Sequence, residues 1–270
     1  MTVDAEVAVV GGGPAGLAAA RALCAAGRAV AVLEAAPRAG GAAWSERCAG
    51  YLVERGANTF RCGPEALAFL RAAGLESRLL AAAPASRERF RLRGGRLVPV
   101  PMGPVAFART PLLTARGTAR LLAEPFVRRG DERGETVAAF AARRLGAEAV
   151  EALAGPFLTG VYAGDERRLG AEAVFPSLVA AERRSGSIVR GLVAGAFARG
   201  RRRGRPGSWS TAHGLGGLTG ALAEGLGPAL RCSARVSGIA CEAGAYRLDI
   251  EAETGPAALR ARGLVLALPA

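Results

Sequence analysis

The feature that most constrains the fold is a glycine-rich turn, GGGPAG at residues 11–16, close to the start of the chain. An apolar stretch over residues 3–10 precedes the turn and predicts a strand, and an apolar helical pattern follows it. A second predicted strand over residues 29–33 ends in Glu34. Strand, glycine turn, helix, strand and terminal acid in this order are typical of a βαβ unit that binds a dinucleotide.

Each glycine of the turn has a separate predicted role. Gly11 permits the tight turn out of the strand, Gly13 lacks a Cβ that would keep a pyrophosphate from the backbone, and Gly16 lets the helix pack closely on the sheet. The free N–H groups at the start of the helix favour phosphate. Glu34 can accept hydrogen bonds from ribose hydroxyls, and its charge would repel a 2′-phosphate, which disfavours NADP.

Arg38 and the pair Gly40-Gly41 follow the acid, and a simple NAD dehydrogenase needs no such element. Together with Glu34 they resemble the extended signature of the glutathione-reductase-type flavoproteins, especially the amine oxidase and protoporphyrinogen oxidase group. In that group the second glycine pair lets the chain pass close to the flavin diphosphate. The resemblance implies an α/β fold with a Rossmann-like FAD-binding domain, and FAD as a bound cofactor.

Composition narrows the class of protein. The chain has 270 residues, half of them hydrophobic, so one large domain or two small ones are expected. No apolar run reaches the roughly 18 residues of a membrane-spanning helix, and the N-terminus does not resemble a secretory signal. Five cysteines without CxxC spacing predict free thiols in a cytoplasmic chain. Because His213 is the single histidine, no metal site is expected.

The formal charge of +13 reflects 36 arginines and no lysine. One interpretation is a solvated basic surface that follows from coding bias. The other is attraction to lipid head groups, nucleic acid or a carboxylate-bearing substrate. Nucleic acid is the poorest candidate, because only 5% of residues are aromatic and none is interleaved with the arginines, so we expect no nucleic-acid partner. The absence of lysine excludes a pyridoxal Schiff base and a P-loop on this stretch.

The patterns further along predict a split domain. Residues 1–82 continue the dinucleotide unit, residues 83–207 form a mostly helical insertion, and residues 208–270 return to the first domain, which is left incomplete. Within the insertion, residues 89–98 predict a β-hairpin and the arginine-rich stretch 198–207 predicts an exposed loop.

The last part of the chain predicts strands over residues 231–239, 245–252 and 263–270. The final one is apolar throughout, as a buried parallel strand would be, and the chain stops on it. A buried parallel strand normally leads into a loop or a helix. We therefore expect the chain to be a fragment.

The most diagnostic motifs lie in the insertion, where GVYAGD occupies residues 160–165 and FPSL occupies residues 175–178. Together with four other segments they resemble the N-terminal part of a bacterial protoporphyrinogen oxidase, the FAD-dependent porphyrinogen oxidase of haem synthesis. The similarity spans essentially the whole chain and would cover a little over half of a family member. The other segments are residues 50–60, 135–146, 216–218 and 266–270.

The resemblance assigns residues to substrate and cofactor. Val236 lies where family members touch the adenine end of FAD, and Asn58 and Arg89 lie where they hold the substrate. A guanidinium suits a propionate carboxylate because it pairs in bidentate fashion, although Arg89 can also be read as one more arginine on a basic hairpin. The backbone around Gly160 and Gly164 would lie near the macrocycle. The residues assigned to FAD are Gly11, Gly12, Gly13, Pro14, Ala15, Gly16, Glu34, Arg38, Gly40, Gly41, Ala42, Gly56, Ala57, Asn58, Thr59 and Val236.

The implied reaction is the six-electron oxidation of protoporphyrinogen IX to protoporphyrin IX in three flavin cycles, with dioxygen as acceptor and hydrogen peroxide as product. No catalytic acid–base residue is expected, and His213 is interpreted as structural or solvent-facing. Three alternatives stay open: coproporphyrinogen III as the substrate, another flavin oxidase such as an amine oxidase or a carotenoid desaturase, and an inactive flavin-binding remnant.

The resemblance also bears on partners and location. We expect a cytoplasmic protein. Family members are often peripheral membrane proteins through the middle domain, so contact with the inner face of the membrane is left open. A homodimer and contact with ferrochelatase are also left open. Ala57 stands where the family has proline, which is a mild departure. The family's last FAD-contacting segment lies beyond Ala270, so weak FAD binding and poor turnover are expected of this chain.

Overall fold

The computed structural model describes residues 3–101, 106–107, 109–130, 134–162, 164–198, 207–252 and 255–269. The chain divides into two compact units. The first comprises Met1–Ala82 and Arg203–Ala270, and the second comprises Ala83–Arg202. The second unit thus ends at Arg202 rather than at residue 207, and most of the predicted basic loop, residues 199–206, lies outside the described residues.

Strands and helices follow one another through both units. The strands are β1 (Ala5–Val10), β2 (Val30–Leu33), β3 (Ser45–Cys48), β4 (Tyr51–Glu54), β5 (Phe60–Arg61), β6 (Leu79–Ala81), β7 (Phe90–Arg93), β8 (Arg96–Pro99), β9 (Ser208–Thr211), β10 (Leu230–Arg231), β11 (Ala234–Glu242), β12 (Ala245–Ala252) and β13 (Gly255–Leu266). The α-helices are α1 (Pro14–Ala25), α2 (Pro64–Ala72), α3 (Ala115–Leu122), α4 (Val137–Leu145), α5 (Ala147–Ala149), α6 (Gly155–Tyr162), α7 (Ala171–Val174), α8 (Pro176–Ser185), α9 (Ile188–Ala198) and α10 (Gly214–Glu224).

Among the described residues, a six-stranded sheet in the order β10-β2-β1-β13-β12-β11 forms the centre of the first unit. β1 pairs in parallel with both β2 and β13, whereas β12 runs antiparallel to its neighbours β11 and β13. The helix α1 connects the parallel strands β1 and β2, which is the predicted βαβ unit. The predicted α/β, Rossmann-like fold class is confirmed.

Apolar side chains cover both faces of this sheet. Val9 and Val32 are buried in one cluster with Leu17 of α1, whereas their chain neighbours Val10 and Leu33 are buried in a second cluster. The two clusters lie on opposite faces because successive side chains of a strand point to opposite sides. Burial on both faces is typical of parallel strands with cover on each side, and it holds the carboxyl ends of β1 and β2 in fixed positions.

Two predicted strands differ from the structure. The predicted strand over residues 231–239 is two strands, because β10 pairs in parallel with β2 and the chain then turns at Ser233, with φ of 51°, into β11. The predicted strand over residues 263–270 overlaps only the end of β13, which runs from Gly255 to Leu266, and residues 267–269 lie after it. Residues 255–261 of β13 pair with β12, and Arg260 and Arg262 break the apolar pattern by which a strand is recognised.

Smaller sheets complete the first unit. β9 pairs antiparallel with both β5 and β6, so the chain that follows the second unit rejoins the strands that precede it. β3 and β4 form an antiparallel hairpin in which Ser45 lies opposite Glu54. The helix α10 packs against this hairpin and against α1.

The second unit is mostly helical, as predicted. Its apolar core contains Val137, Phe140, Leu158, Ala171 and Ile188. The predicted hairpin is present as β7 and β8, and a π-helical turn at Val150–Ala154 precedes α6. Of the helices in the described part of the chain, none has both the length and the apolar character needed to cross a bilayer.

A buried ion pair holds several helices of the second unit together. The side chains of Arg144 and Glu124 are fully buried and form a salt bridge. The Glu124 carboxylate also accepts hydrogen bonds from the Ser187 hydroxyl, at 2.6 Å, and from the N–H of Ile188, at 2.8 Å. The acid therefore satisfies donors at the start of α9 as well as neutralising the arginine.

Candidate functional site

A cleft with a volume of about 820 Å³ opens in the first unit, at the carboxyl ends of β1, β2 and β13. Ligands of open α/β sheets bind at this edge. The cleft is lined by the glycine turn after β1, by Glu34 and Ala35 after β2, by Gly41 and Ala42, by the first half of β11, and by residues 267–269 after β13.

The three predicted glycine roles are visible in the geometry of the turn. Gly11 has φ of 106°, and a Cβ there would lie 2.5 Å from the carbonyl oxygen of Ala267. A Cβ on Gly16 would collide with the carbonyl oxygen of Gly11, so the helix can approach the turn only with glycine at this position. A Cβ on Gly13 would meet nothing within 4 Å. The space beside Gly13 is therefore open towards the cleft, where the sequence predicts a pyrophosphate.

The N-terminus of α1 points a partial positive charge at the same space. Gly13 is its N-cap residue, no side chain caps the helix, and no acid lies in its first turn. Pro14, which has no N–H to leave unsatisfied, occupies the first helical position. The backbone N–H groups that follow have no acceptor within the helix, so the end of α1 suits an anionic phosphate.

Glu34 is held in the cleft by backbone hydrogen bonds. Its carboxylate accepts the N–H of Gly12 at 2.6 Å and the N–H of Ala36 at 2.7 Å. Each carboxylate oxygen has a further lone pair, so the group can still accept hydrogen bonds from ribose hydroxyls. Partial burial, followed by the charge of Glu34, raises the pKa of the Cys232 thiol.

The second glycine pair lies directly against the first turn. Gly40 has φ of 108° and donates its N–H to the carbonyl oxygen of Gly12 at 2.8 Å. Gly41 has φ of 54°, and a Cβ there would lie 3.2 Å from the Cα of Gly13. The pair therefore brings Ala42 to the wall of the cleft, as expected for a segment that passes close to a diphosphate.

Arg38 is bound to its own loop. Its guanidinium donates to the carbonyl oxygens of Ala39 and Gly41, at 3.3 and 3.0 Å, and lies 4.3 Å from the centre of the Trp44 ring. It does not belong to the cleft lining. Its predicted contact with FAD stays a prediction, whereas its effect on the shape of the glycine pair is direct.

The wall contributed by β11 contains a β-bulge that sequence reasoning missed. Val236 pairs with Ile250 and Gly238 pairs with Asp249, so Ser237 is an extra residue on the edge strand. Val236, Ser237 and Gly238 line the cleft, and the predicted contact of Val236 with the adenine end stays a prediction. The Ser237-Gly238 dipeptide inside a strand pattern was the available signal. Residues 267–269 were also missed, because their position depends on the pairing of β13 with β1.

The predicted FAD-contacting turn at residues 56–59 lies outside the cleft lining. A Cβ on Gly56 would collide with the carbonyl oxygen of Ala42, so this glycine is required for packing against the segment that does line the cleft. Ala57 and Asn58 are exposed and Thr59 is half-buried. Their contacts with FAD, and that of Asn58 with substrate, stay predictions.

The other predicted substrate residues belong to the second unit. Arg89 is exposed at the start of the hairpin, and Gly160 lies on α6 with nothing within 4 Å of the position that a Cβ would take. A Cβ on Gly164 would lie 2.6 Å from Cδ1 of Leu169, so a larger residue there would displace the Leu169 side chain. His213 is exposed at the N-terminal end of α10. No group of three His, Cys, Asp or Glu side chains in the described residues could hold a metal ion.

The shape and chemistry of the cleft fit the adenosine diphosphate half of FAD. The open backbone of Gly13 and the uncapped end of α1 match a diphosphate, and Glu34 matches a ribose. The apolar side chains of Val236 and Ile239 provide a surface for an adenine ring. All of these residues belong to the first unit.

Comparisons with known proteins agree with this assignment. The family described as flavin containing amine oxidoreductase matches residues 14–270. The chloroplastic protoporphyrinogen oxidase of Nicotiana tabacum is 31% identical over 280 residues, which cover 98% of this chain and 51% of the relative. The protoporphyrinogen oxidase of Homo sapiens is 36% identical over 208 residues, which cover 70% of this chain and 42% of the relative. The chain spans about half the length of the curated relatives it matches.

Solved structures show the same fold. The crystal structure of a "Putative protoporphyrinogen oxidase" from Exiguobacterium sp. 255-15 superposes with a TM-score of 0.71 at 27% identity, and covers all of this chain and 60% of that one. Putrescine oxidase bound to putrescine gives a TM-score of 0.65 at 20% identity over 98% of this chain and 58% of that one, which shows the fold alone. The predicted cofactor, FAD, is confirmed by the family. The chain belongs to the flavin containing amine oxidoreductase family, and the cleft of its first unit is the site that fits FAD.

Proposed function

We propose that this chain is part of an FAD-dependent oxidase that converts protoporphyrinogen IX to protoporphyrin IX, with dioxygen as the electron acceptor. The observation that carries the proposal is its identity of 31% to a curated protoporphyrinogen oxidase across 98% of the chain. The wider family supports the coarser statement, an FAD oxidoreductase, independently of the substrate.

The chain's own contribution to the reaction is to hold and orient the cofactor. Bound FAD supplies hydride acceptance and reoxidation by dioxygen, so that six electrons leave the substrate in three cycles and hydrogen peroxide is formed. The end of α1 would hold the diphosphate, and Glu34 would hold the ribose. No side chain that lines the cleft has to donate or remove a proton for the cofactor to bind.

The hairpin of the second unit supports a role for Arg89 in binding a substrate propionate. Arg91 donates to the carbonyl oxygen of Ala152 at 2.8 Å, and Arg93 donates to that of Pro111 at 2.6 Å. Arg89, by contrast, has no hydrogen bond or ion pair through its guanidinium to another described residue. Arg89 therefore does not anchor the hairpin as Arg91 and Arg93 do, and its fork is available for a carboxylate.

A single-turnover experiment tests the proposal. The protein is purified with FAD and mixed without oxygen with protoporphyrinogen IX, coproporphyrinogen III or putrescine in separate experiments. The expected result is bleaching of the flavin absorbance by protoporphyrinogen IX, appearance of porphyrin fluorescence, and hydrogen peroxide when oxygen is admitted.

The other substrates decide between the alternatives. Faster bleaching by coproporphyrinogen III than by protoporphyrinogen IX would reassign the substrate within the porphyrinogens. Bleaching by the amine and by neither porphyrinogen would replace the proposal with an amine oxidase. Bleaching by none of the three would leave a flavin-binding protein without this activity. A cytoplasmic location, membrane contact, a homodimer and contact with ferrochelatase stay predictions.

A further inference from the structure

The N-terminus of α10 is held by two side chains from the hairpin of β3 and β4. Glu54 accepts the N–H of Leu215 through Oε1 at 2.9 Å. Ser45 accepts the N–H of Gly216 through Oγ at 2.8 Å and donates its hydroxyl hydrogen to Oε2 of Glu54 at 2.6 Å. Because Ser45 and Glu54 lie opposite each other across the hairpin, they act on the helix end as one unit.

The start of α10 has no room for side chains at this contact. Gly214 has φ of 70°, and a Cβ there would collide with both Oε1 of Glu54 and Oγ of Ser45. A Cβ on Gly216 would lie 2.7 Å from the backbone nitrogen of Ser45. Glycine at both positions lets the helix end come close enough for its N–H groups to reach the two acceptors.

The same helix supports the wall of the cleft. The hydroxyl of Thr219, which is 4% exposed, lies within hydrogen-bond distance of three carbonyl oxygens, those of Ala43 at 3.2 Å, Gly216 at 3.1 Å and Leu215 at 3.3 Å, and can donate its hydrogen to one of them. A Cβ on Gly40 would lie 2.8 Å from that hydroxyl oxygen. Residues 40–43 therefore rest on α10, and Gly41 and Ala42 of this segment line the cleft.

The residues that follow β4 pack against the segment 40–43 on the side away from α10. Gly56, two residues after Glu54, packs so closely on the carbonyl oxygen of Ala42 that it leaves no space for a Cβ. The segment 40–43 thus lies between α10 and the end of the hairpin. The hydrogen bonds of Ser45 and Glu54 join these two supports to each other.

We propose that Ser45 and Glu54 are positioning residues for FAD, although neither lines the cleft. By fixing α10 to the hairpin, they keep the segment 40–43 in the shape that accepts the diphosphate before the cofactor arrives. Because the wall of the cleft is then ordered before FAD binds, binding costs less conformational entropy. Loss of the hydrogen bonds from Ser45 and Glu54 to α10 should therefore appear as a weaker affinity for FAD. This inference rests on the FAD site and does not depend on which substrate is oxidised.

The test measures FAD affinity and folding separately in the full chain. Glu54→Ala, Glu54→Gln and Ser45→Ala are titrated against FAD by quenching of flavin fluorescence, after circular dichroism has shown that each apo variant is folded. Glu54→Ala should raise the Kd about ten-fold, because it removes a charge-assisted pair of hydrogen bonds. Glu54→Gln keeps an acceptor for Leu215 and should raise the Kd by only about three-fold.

Glu46→Gln is the matched control. Glu46 lies on the same hairpin and pairs with Arg55 at 2.5 Å, and among the described residues its side chain has no hydrogen bond to α10. Its Kd for FAD should stay within about two-fold of the wild type, because an exposed pair contributes little.

Two results would overturn the inference. One is an unchanged Kd in a folded Glu54→Ala chain, or in a folded Ser45→Ala chain if Glu54→Ala does not fold. The other is a Kd that rises equally in Glu46→Gln, which would trace the effect to the hairpin in general. Failure to oxidise a porphyrinogen would leave all of these affinities unchanged, so the two proposals fail in different measurements.

Discussion

At the scale of single residues, two glycines of the first turn do opposite things. The backbone of Gly13, with φ of −72° and ψ of 179°, is open to any residue, and the space beside it is empty of protein atoms. Gly16 faces the carbonyl oxygen of Gly11, which leaves no space for a Cβ. Gly13 thus leaves space for the ligand, whereas Gly16 is required for the packing of α1 on the turn.

Substitution separates these two roles. Gly13→Ala should leave the free energy of unfolding of the apo chain within about 0.5 kcal/mol of the wild type, because the new methyl group meets no protein atom. Its Kd for FAD should rise at least about ten-fold, because the methyl group occupies the diphosphate space. Urea unfolding and flavin fluorescence titration measure the two quantities.

Gly16→Ala is the matched variant with the reverse expectation. The inserted methyl group collides with backbone rather than with a flexible side chain, so the apo chain should lose about 1–3 kcal/mol. A Gly16→Ala chain as stable as the wild type would show that α1 can move away from the turn without cost.

Arg89 gives a prediction for substrate rather than cofactor. Arg89→Ala should raise the KM for a porphyrinogen about ten-fold with a small change in kcat, because an ion pair formed equally in ground and transition states is lost. Arg96→Ala is the control, since Arg96 is also exposed on the hairpin and its guanidinium has no hydrogen bond or ion pair to another described residue. Steady-state kinetics of the protein measure both, and an equal rise in KM for the two variants would show a diffuse charge effect.

At the scale of elements, helix ends in this chain are held by acids from distant elements. Glu54 binds the start of α10, and Glu124 binds the start of α9. The Glu148 carboxylate accepts hydrogen bonds from the backbone N–H of Thr114, at 2.6 Å, and from the Thr114 hydroxyl, at 2.8 Å. The Thr114 hydroxyl oxygen in turn accepts the N–H of Gly117 and so caps α3. Each contact satisfies donors that a helix leaves free and adds a favourable charge at its positive end.

The contact of Glu148 predicts a dependence on pH. The backbone N–H of Thr114, followed by its hydroxyl, lowers the pKa of Glu148 below its ordinary value of 4.5. Folding therefore favours the ionised form, so the contribution is complete above about pH 4.5 and is lost as the pH falls through the lower pKa of the folded chain. The stability difference between wild type and Glu148→Gln should shrink in urea unfolding as the pH is lowered from 6 to 3. A difference that stays constant across this range would contradict the assignment.

The buried acid Glu124 predicts a much larger effect than an exposed one. Glu124→Gln would leave the fully buried Arg144 with only its longer pair to Glu182, at 3.4 Å, and loss of the buried pair should destabilise the second unit by about 3–5 kcal/mol. Glu172→Gln is the control, because the Glu172 side chain is 60% exposed and its pair with Arg183 lies at the surface, so about 0–1 kcal/mol is expected. Thermal unfolding followed by circular dichroism compares them, and similar losses in both variants would refute the distinction.

At the scale of the whole molecule, the described residues that line the cleft belong to the first unit, although they come from both ends of the chain. A ligand that binds there stabilises mainly the unit that contains its site. The basic insertion interrupts the sequence of this unit between residues 82 and 203.

Hydrogen exchange measures this distribution. Adding FAD should slow amide exchange most in the peptides of residues 11–16, 34–43 and 235–239, because these segments line or support the cleft. Peptides from the core of the second unit around Phe140 serve as the internal control. Slowing that is larger around Phe140 than in the first unit would move the cofactor site away from the cleft.

Much of the cofactor site was predictable because its signals are local. The first turn, Glu34 and Gly40-Gly41 lie within about thirty residues of one another. Gly11, Gly40 and Gly41 have a positive φ, and Glu34 is the acid that ends the second strand of the unit. The bulge at Ser237 was not predictable in the same way, because it exists only relative to the partner strand β12. The hydrogen bonds of Glu54 and Ser45 to α10 were not predictable either. Glu54 is separated from Leu215 by 161 positions along the chain, and Ser45 from Gly216 by 171, so no local pattern indicates these contacts.

The sequence by itself determined the βαβ unit, the chemistry of the turn and the expectation of a dinucleotide, because hydrophobic periodicity and glycine conformation act over a few neighbouring residues. Only the tertiary structure decided that one predicted strand is two, that β13 continues through an arginine-containing half, and which wall residues complete the cleft. These features depend on hydrogen bonds between strands far apart along the chain, and such pairing is selected by the packing of the whole sheet rather than by local propensity.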